Sequence, residues 1–425
     1  MPWQETHVPE QRVLLIAEHL RGERSLKDIA DHFGVSRKTA YKWIERFKST
    51  GLLEERSRRP LSSPSSTSST TVEILVATRR AHPTWGPRKL IAYLSRLPAY
   101  QGVVWPAAST AGDILKRQGL VEPRRRRRRL AGERRACVTA TAPNDSWSID
   151  LKGHFRLGDG RRCDPLTITD NFSRYLLRCV AVDEPKLSFI QPLIESAFRE
   201  YGLPSSIRSD NGPPFGSSGV GGLSRLAVWL IKLGVRPDFI TPAKPQQNGR
   251  HERMHRTLKA EACRPPRKDQ ATQQSAFDVF VDEYNNIRPH EALANETPAS
   301  VHRVSTRPMP TTVTSPTYPS TFTVRMVKGD GDIKWRNERL YLSEVLAHEP
   351  VGLNQVGDDM WLIHFGMVPI VVFDGFTRKL FPIGTAVDVI ERARHKRTGT
   401  RRTSDLRRHP PVRDDCTAES DVVGV

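Results

Sequence analysis

Cysteine is scarce and unpatterned in this chain: five residues in 425, at positions 137, 163, 179, 263 and 416, with no C-x-x-C pair and no even framework. That argues against a disulfide scaffold and a structural zinc site, and it fits a reducing cytosol. No stretch approaches eighteen consecutive apolar residues and no apolar h-region opens the chain, so neither a membrane span nor a secretory leader is expected. Acidic residues are also in deficit. The 47 Asp and Glu face 66 Lys and Arg, and the net charge of +19 favours a polyanionic partner, nucleic acid first among them. A chain of this length is expected to form two to four domains, each able to bury a core.

The first fifty-five residues read as a helical DNA-binding unit. A first helix is expected over Glu10 to Leu20, with Val13, Leu14, Ile16, Ala17 and Leu20 as its apolar stripe. Ser25-Leu-Lys-Asp28 has the form of a capping box, and Leu26, Ile29, Ala30 and Phe33 keep helical spacing until Gly34. A third helix opens at Ser36, with Ala40, Ile44 and Phe47 inward and Arg37, Lys38, Thr39 and Lys42 outward. Through Ala30, Gly34 and Val35 the arrangement resembles the helix-turn-helix family, whose second motif helix enters the major groove. That resemblance makes the four outward residues candidate DNA contacts.

Residues 56–71 are dominated by Ser, Thr and Pro and read as a linker. Residues 72–122 read as a second helical domain of winged-helix type. Within the next linker, 123–143, stand Arg124, Arg125, Arg126, Arg127, Arg128 and Arg129. Such a block repels itself unless a polyanion neutralises it, and the phosphate backbone is its natural partner. Residues 144–305 alternate strands and helices, with strands expected at Ser146 to Leu157, Leu166 to Asn171, Tyr175 to Val182, Ser206 to Ser209 and Asp238 to Thr241. This order describes a mixed five-stranded sheet with helices. From 320 to 388 the period becomes two and a small β-barrel is expected, followed by a disordered basic tail over 389–425.

Within the α/β region three acids stand at three kinds of structural edge. Asp150 lies inside the alternating run Trp147-Ser-Ile-Asp150, Asp210 ends a short strand before Asn211-Gly212, and Glu252 lies on a helix entered through Pro245, Asn248 and Gly249. Carboxylates converging from separate elements can hold two divalent ions about 4 Å apart, the equipment for phosphodiester chemistry. Trp147 alternates to the opposite face and is expected in the core. Asp170 is the rival strand-end carboxylate, read as a turn residue.

These segments are where the chain resembles the bacterial insertion-sequence transposases and the retroviral integrases. The resemblance runs from about Asp145 to Pro298 and rests on Trp147-Ser-Ile-Asp150, Ser209-Asp-Asn-Gly212 and Pro245-Gln-Gln-Asn-Gly-Arg-His-Glu252, with Tyr284-Asn-Asn-Ile-Arg-Pro-His290 in addition. It implies a ribonuclease H-like core with Asp150, Asp210 and Glu252 as catalytic metal ligands for two Mg²⁺ or Mn²⁺ ions. It also implies that Lys259 contacts DNA, with Asn248, Arg250, His255 and Arg256 beside it on the same helix. The 41 residues between Asp210 and Glu252 exceed the spacing in many relatives, the surplus falling in Gly216 to Gly222. No retroviral zinc module precedes the core, which points to the bacterial branch. The expected activity is that of a DNA transposase: cleavage at the ends of its element and strand transfer into target DNA. It would act as a homo-oligomer on double-stranded DNA in the bacterial cytoplasm, associated with the nucleoid, without a membrane or small-molecule partner. The competing reading is a DNA-binding regulator whose integrase-like domain is idle.

Overall fold

In the computed structural model, which describes residues 8–54, 67–122, 140–240 and 249–383, contacts divide the chain into two units, Met1–Ser68 and Ser69–Val425. In the first unit α1 (Val8–Arg21), α2 (Leu26–His32) and α3 (Arg37–Thr50) close on a small core of Leu15, Ile16, Ile29, Ala30, Val35, Ala40 and Ile44. Local chemistry sets the boundaries. Ser25 and Ser36 cap α2 and α3, accepting bonds from the Asp28 and Thr39 amides, and Gly51 ends α3 in the left-handed region at φ +67°. The expected stripe on α1 is rotated. Leu15 and Ile16 are buried while Val13, Leu14 and Leu20 are exposed, because Arg12 turns inward to lie 4.0 Å over the Trp43 ring and carries that face with it.

The second unit begins with α4 (Ser69–Ala81), α5 (Pro87–Leu94) and α6 (Ala108–Arg117), packed around the buried indole of Trp85. Among the described residues no strand is recorded between 67 and 122, so the expected wing is missing. These helices dock on the mixed α/β domain through His82 Nδ1 to Glu283 Oε1 at 2.9 Å, Arg96 to Glu296 at 3.1 Å, and the Thr84 hydroxyl to Glu261.

The central sheet comprises β1 (Trp147–Leu151), β2 (Phe155–Arg156), β3 (Arg162–Asp170), β4 (Leu176–Val182), β5 (Ser206–Ser209) and β6 (Arg236–Phe239). β3 pairs antiparallel with β1, β2 and β4, and β1, β5 and β6 run parallel, giving six strands rather than five. The sixth arises because Gly153, at φ +82°, breaks the single strand expected from Ser146 to Leu157. α7 (Leu187–Tyr201) and α8 (Arg225–Lys232) cover one face, where Trp147, Ile149, Leu166, Ile168, Ile194, Phe198, Leu226 and Leu230 form the main core. On the other face lie α9 (Gly249–Glu261) and α10 (Gln270–Asp282), with Met254, Leu258, Phe277 and Phe280 against Leu176 and Cys179. A π-helical turn over Glu283–Ile287 and the short α11 (Pro298–Val301) lead out of the core.

The C-terminal module holds β7 (Thr323–Met326), β8 (Asp332–Trp335), β9 (Glu338–Tyr341), β10 (Pro350–Gly357), β11 (Met360–Phe365), β12 (Val368–Asp374) and β13 (Lys379–Phe381). Five of them form an antiparallel sheet in the order β13-β12-β11-β10-β7, and β8 pairs with β9 alone. The barrel expected from period-two patterning is therefore an open sheet with a hairpin laid across it, Trp335 of the hairpin meeting Trp361 at 4.9 Å. β10 escapes pattern reading because Gly352 interrupts its alternation. A Cβ there would overlap the Tyr318 ring, so glycine is needed for that close approach.

The module and the central domain share a helix. α8 gives Leu226 and Leu230 to the main core but Ala227, Val228 and Ile231 to the core of the C-terminal sheet. The Gly216 to Gly222 segment is also occupied structurally, with Val220 packed on that second core.

Candidate active site

β1 and β5 run parallel with Trp147 opposite Ile207 and Ser148 opposite Arg208. Extending that register by two residues sets Asp150 beside Asp210, and equal parity along parallel strands sends both side chains to the same face. Arg208 is locked to β6 by Asp238, with Nε at 2.8 Å and Nη2 at 2.7 Å, which fixes the end of β5 from which Asp210 projects. The Asp210 carboxylate turns back on its own loop and accepts from the Gly212 amide at 3.3 Å. α9 crosses the same face and carries Glu252 in its first turn, exposed, beside a buried row of His251, Met254, His255 and Leu258.

Electrostatics link the three acids. The Asp150 carboxyl is pushed up to about 7, by burial first, then by the neighbouring Asp210 carboxylate and more weakly by Glu252. Burial also raises Asp210. Negative charge is thus concentrated at this face, with Lys152 opposing the rise at Asp150 only weakly. This donor set of three carboxylates fits hard divalent cations that prefer oxygen.

Beneath Asp150 lies a group that the sequence did not disclose. The Thr167 hydroxyl on β3 lies 3.2 Å from the Asp150 carbonyl oxygen, 2.7 Å from His251 Nε2 and 2.6 Å from His255 Nε2. Thr169 Oγ1 is 2.9 Å from His251 Nδ1, and His255 Nδ1 is 3.8 Å from Asp150 Oδ2. Burial pushes His251 down to about 3 and His255 down to about 2, so both rings are neutral at physiological pH. His255 was expected at the DNA. It is only 6% exposed and faces the sheet, because α9 turns its 251–254–255–258 face inward.

The remaining expectations fall out variously. Arg250, Arg256 and Lys259 are exposed on α9, and Arg37, Lys38 and Lys42 are exposed on α3, where Thr39 is half-buried with its hydroxyl 2.9 Å from Ser36 Oγ. Asn248 and Arg124 to Arg129 lie outside the described residues, as do Pro245 to Gln247 and the 389–425 tail. Trp147 is fully buried, bonding Asn144 Oδ1 through its indole at 3.0 Å. Asp170 is also fully buried and accepts from the Ser173 amide at 2.8 Å and the Asn144 amide at 3.1 Å, the role of a turn organiser. Arg174 was missed. Its guanidinium and that of Arg250 both donate to the Asn171 carbonyl, and burial together with Arg250 pushes Arg174 down to about 10.

Two overlapping family matches, both described as an integrase core domain, cover residues 140–245 and 233–298 and so include all three acids. The chain carries an integrase core domain. Ahead of this integrase core, residues 11–60 match a helix-turn-helix domain and residues 39–115 a homeodomain-like domain. The chain is 31% identical over 183 residues to an uncharacterised 39.2 kDa protein of insertion element IS476 from Xanthomonas euvesicatoria, covering 42% of this chain and 50% of that protein. It is 29% identical over 197 residues to a 31.7 kDa protein of insertion element IS407 from Burkholderia multivorans, covering 45% of this chain and 69% of the relative. The chain thus spans about half the length of the first of these curated relatives. Among solved structures it is similar to a chain of the simian T-cell lymphotropic virus intasome, at 17% identity and a TM-score of 0.35, covering 72% of this chain and 98% of that one. No helix among the described residues is long and apolar enough to cross a membrane.

Proposed function

We propose that this chain is a DNA transposase, a polynucleotidyl transferase that binds the ends of its mobile element, cleaves there and transfers the freed strands into target DNA. What supports the reading is the charge on Asp150, whose carboxyl is pushed up to about 7 by burial first, then by Asp210 and more weakly by Glu252. Asp150 and Asp210 would hold one Mg²⁺ or Mn²⁺ ion and Glu252 would complete a second site. When bound, such ions supply a lowered pKa for water or a 3′-hydroxyl and stabilise the leaving oxygen.

The chain's own residues position the DNA. Arg174 and Arg250, converging on one carbonyl, offer two adjacent cations to a phosphate, and Arg256 and Lys259 extend that charge along α9. Arg37, Lys38 and Lys42 serve the major groove from α3. The six arginines from 124 to 129 add sequence-independent affinity. Joining two element ends to one target calls for at least two copies of the chain, so a homo-oligomer on bacterial chromosomal DNA, in the cytoplasm, is the working form.

The test uses purified full-length protein, DNA carrying the element's ends, and Mg²⁺ or Mn²⁺. Cleavage and strand transfer are expected from the wild type. Asp150→Asn, Asp210→Asn and Glu252→Gln should each lower transfer by at least about a thousandfold while end binding persists. A mobility shift without cleavage by the wild type would instead identify a DNA-binding regulator with an idle core.

A further inference from the structure

The hydrogen-bond inventory around Thr167 determines which way both imidazoles point. A hydroxyl has one proton to donate and can accept two. Three groups approach Thr167 Oγ1, and one of them, the Asp150 carbonyl oxygen, can only accept. All three contacts are satisfied in a single way. The hydroxyl donates to Asp150 O, and His251 and His255 each donate Nε2–H to the hydroxyl oxygen, at 2.7 Å and 2.6 Å. His251 Nδ1 is then an acceptor for the Thr169 hydroxyl at 2.9 Å, so both of its nitrogens are engaged. His255 Nδ1 is left with an outward lone pair. Its recorded neighbour among the described residues is Asp150 Oδ2 at 3.8 Å, beyond hydrogen-bond length.

Two lone-pair donors held face to face can share a cation between them. Ligand atoms each about 2.1 Å from one ion can stand up to about 4.2 Å apart, so a spacing of 3.8 Å suits a shared ion. His251 lies in the same cluster, within 4.8 Å, but cannot take part without abandoning Thr167 or Thr169. It is the brace that fixes the Thr167 hydroxyl.

We propose that His255 Nδ1 is a ligand to the ion held by Asp150, making that site a mixed nitrogen–oxygen site that favours Mn²⁺ and other first-row transition ions over Mg²⁺. This rests on the reading of Asp150 as a metal ligand. Magnesium prefers an all-oxygen shell, whereas imidazole nitrogen strengthens binding of transition ions.

Pulsed electron paramagnetic resonance on the full chain loaded with Mn²⁺ alone tests it directly. The wild type should show nitrogen-14 modulation from a directly bound imidazole. His255→Asn should lose the modulation and reduce the Mn²⁺ over Mg²⁺ preference, measured by competition, by about tenfold. Bound Mn²⁺ without nitrogen modulation in the wild type, or modulation that persists in His255→Asn, overturns the ligation and leaves the carboxylate site standing. Failure of the wild type to bind Mn²⁺, or unchanged binding in Asp210→Asn, overturns the carboxylate site and this inference with it. The wild-type spectrum decides even if His255→Asn does not fold.

Discussion

Asp150 binds its proton more tightly in the folded chain than an exposed aspartate does, and this gives stability a definite dependence on pH. Between the unfolded value of 3.8 and the folded value of about 7, the unfolded chain releases the proton first, so metal-free stability attributable to this residue falls as pH rises and stays low above about 7. The buried histidines act oppositely, losing stability as pH drops below 6.5. Comparing wild type with Asp150→Asn isolates the aspartate. Without divalent ions, the variant's melting temperature relative to wild type should rise between pH 5 and pH 8, and added Mn²⁺ should stabilise only the wild type. An offset independent of pH would remove the assigned cause. The three acids could be put forward as candidates from the sequence because each sits in a short motif at a strand or helix edge. Thr167 was not, since its role depends on pairing with Asp150 seventeen residues earlier and on a helix arriving more than eighty residues later. His255 misled because spacing along a helix gives its angle to Glu252 and not which of two adjoining faces meets the sheet.

Among elements, α5, α9 and the end of the π-helical turn meet at a junction of buried charge. Arg288, with 6% of its side chain exposed, donates Nη1 to both carboxylate oxygens of Glu261 at 2.7 and 2.9 Å, and Glu261 also takes the Thr84 hydroxyl. Lys89 of α5 is pushed down to about 8 by burial and by Arg288. Removing the acid would leave the buried Arg288 and the half-buried Lys89 without its charge. Glu261→Ala should therefore cost about 3–5 kcal/mol in urea unfolding of the second unit, and a loss below about 1 kcal/mol would show the pair to be superficial. Other elements show where pattern reading ends. The apolar count along α1 suggested a stripe through Val13, Leu14, Ile16, Ala17 and Leu20, but Val13, Leu14 and Leu20 are exposed while Arg12 lies over Trp43. α10 went unread, although Asp269 and Thr272 form a reciprocal capping box, because its first half is polar and its apolar residues crowd into Ala276 to Val281.

For the molecule as a whole, the first unit closes its own small core from α1, α2 and α3. A fragment ending at Ser68 should fold alone, with a helical circular dichroism spectrum and a cooperative melt. A spectrum without helical minima would show that the first unit depends on the rest of the chain. The order of all-α segments, mixed sheet and C-terminal strands was legible in the change of hydrophobic period along the chain. How the last two join was not, because the joint lies within one helix whose two faces both read as apolar. That helix has a consequence for how such chains can be recombined. Exchanging the C-terminal sheet for a foreign one would strip the cover from Ala227, Val228 and Ile231 on α8, between the segments that bear Asp210 and Glu252. A transplantable piece therefore has to keep the integrase core together with its C-terminal sheet, and a cut between them, however convenient in sequence, divides a folding unit.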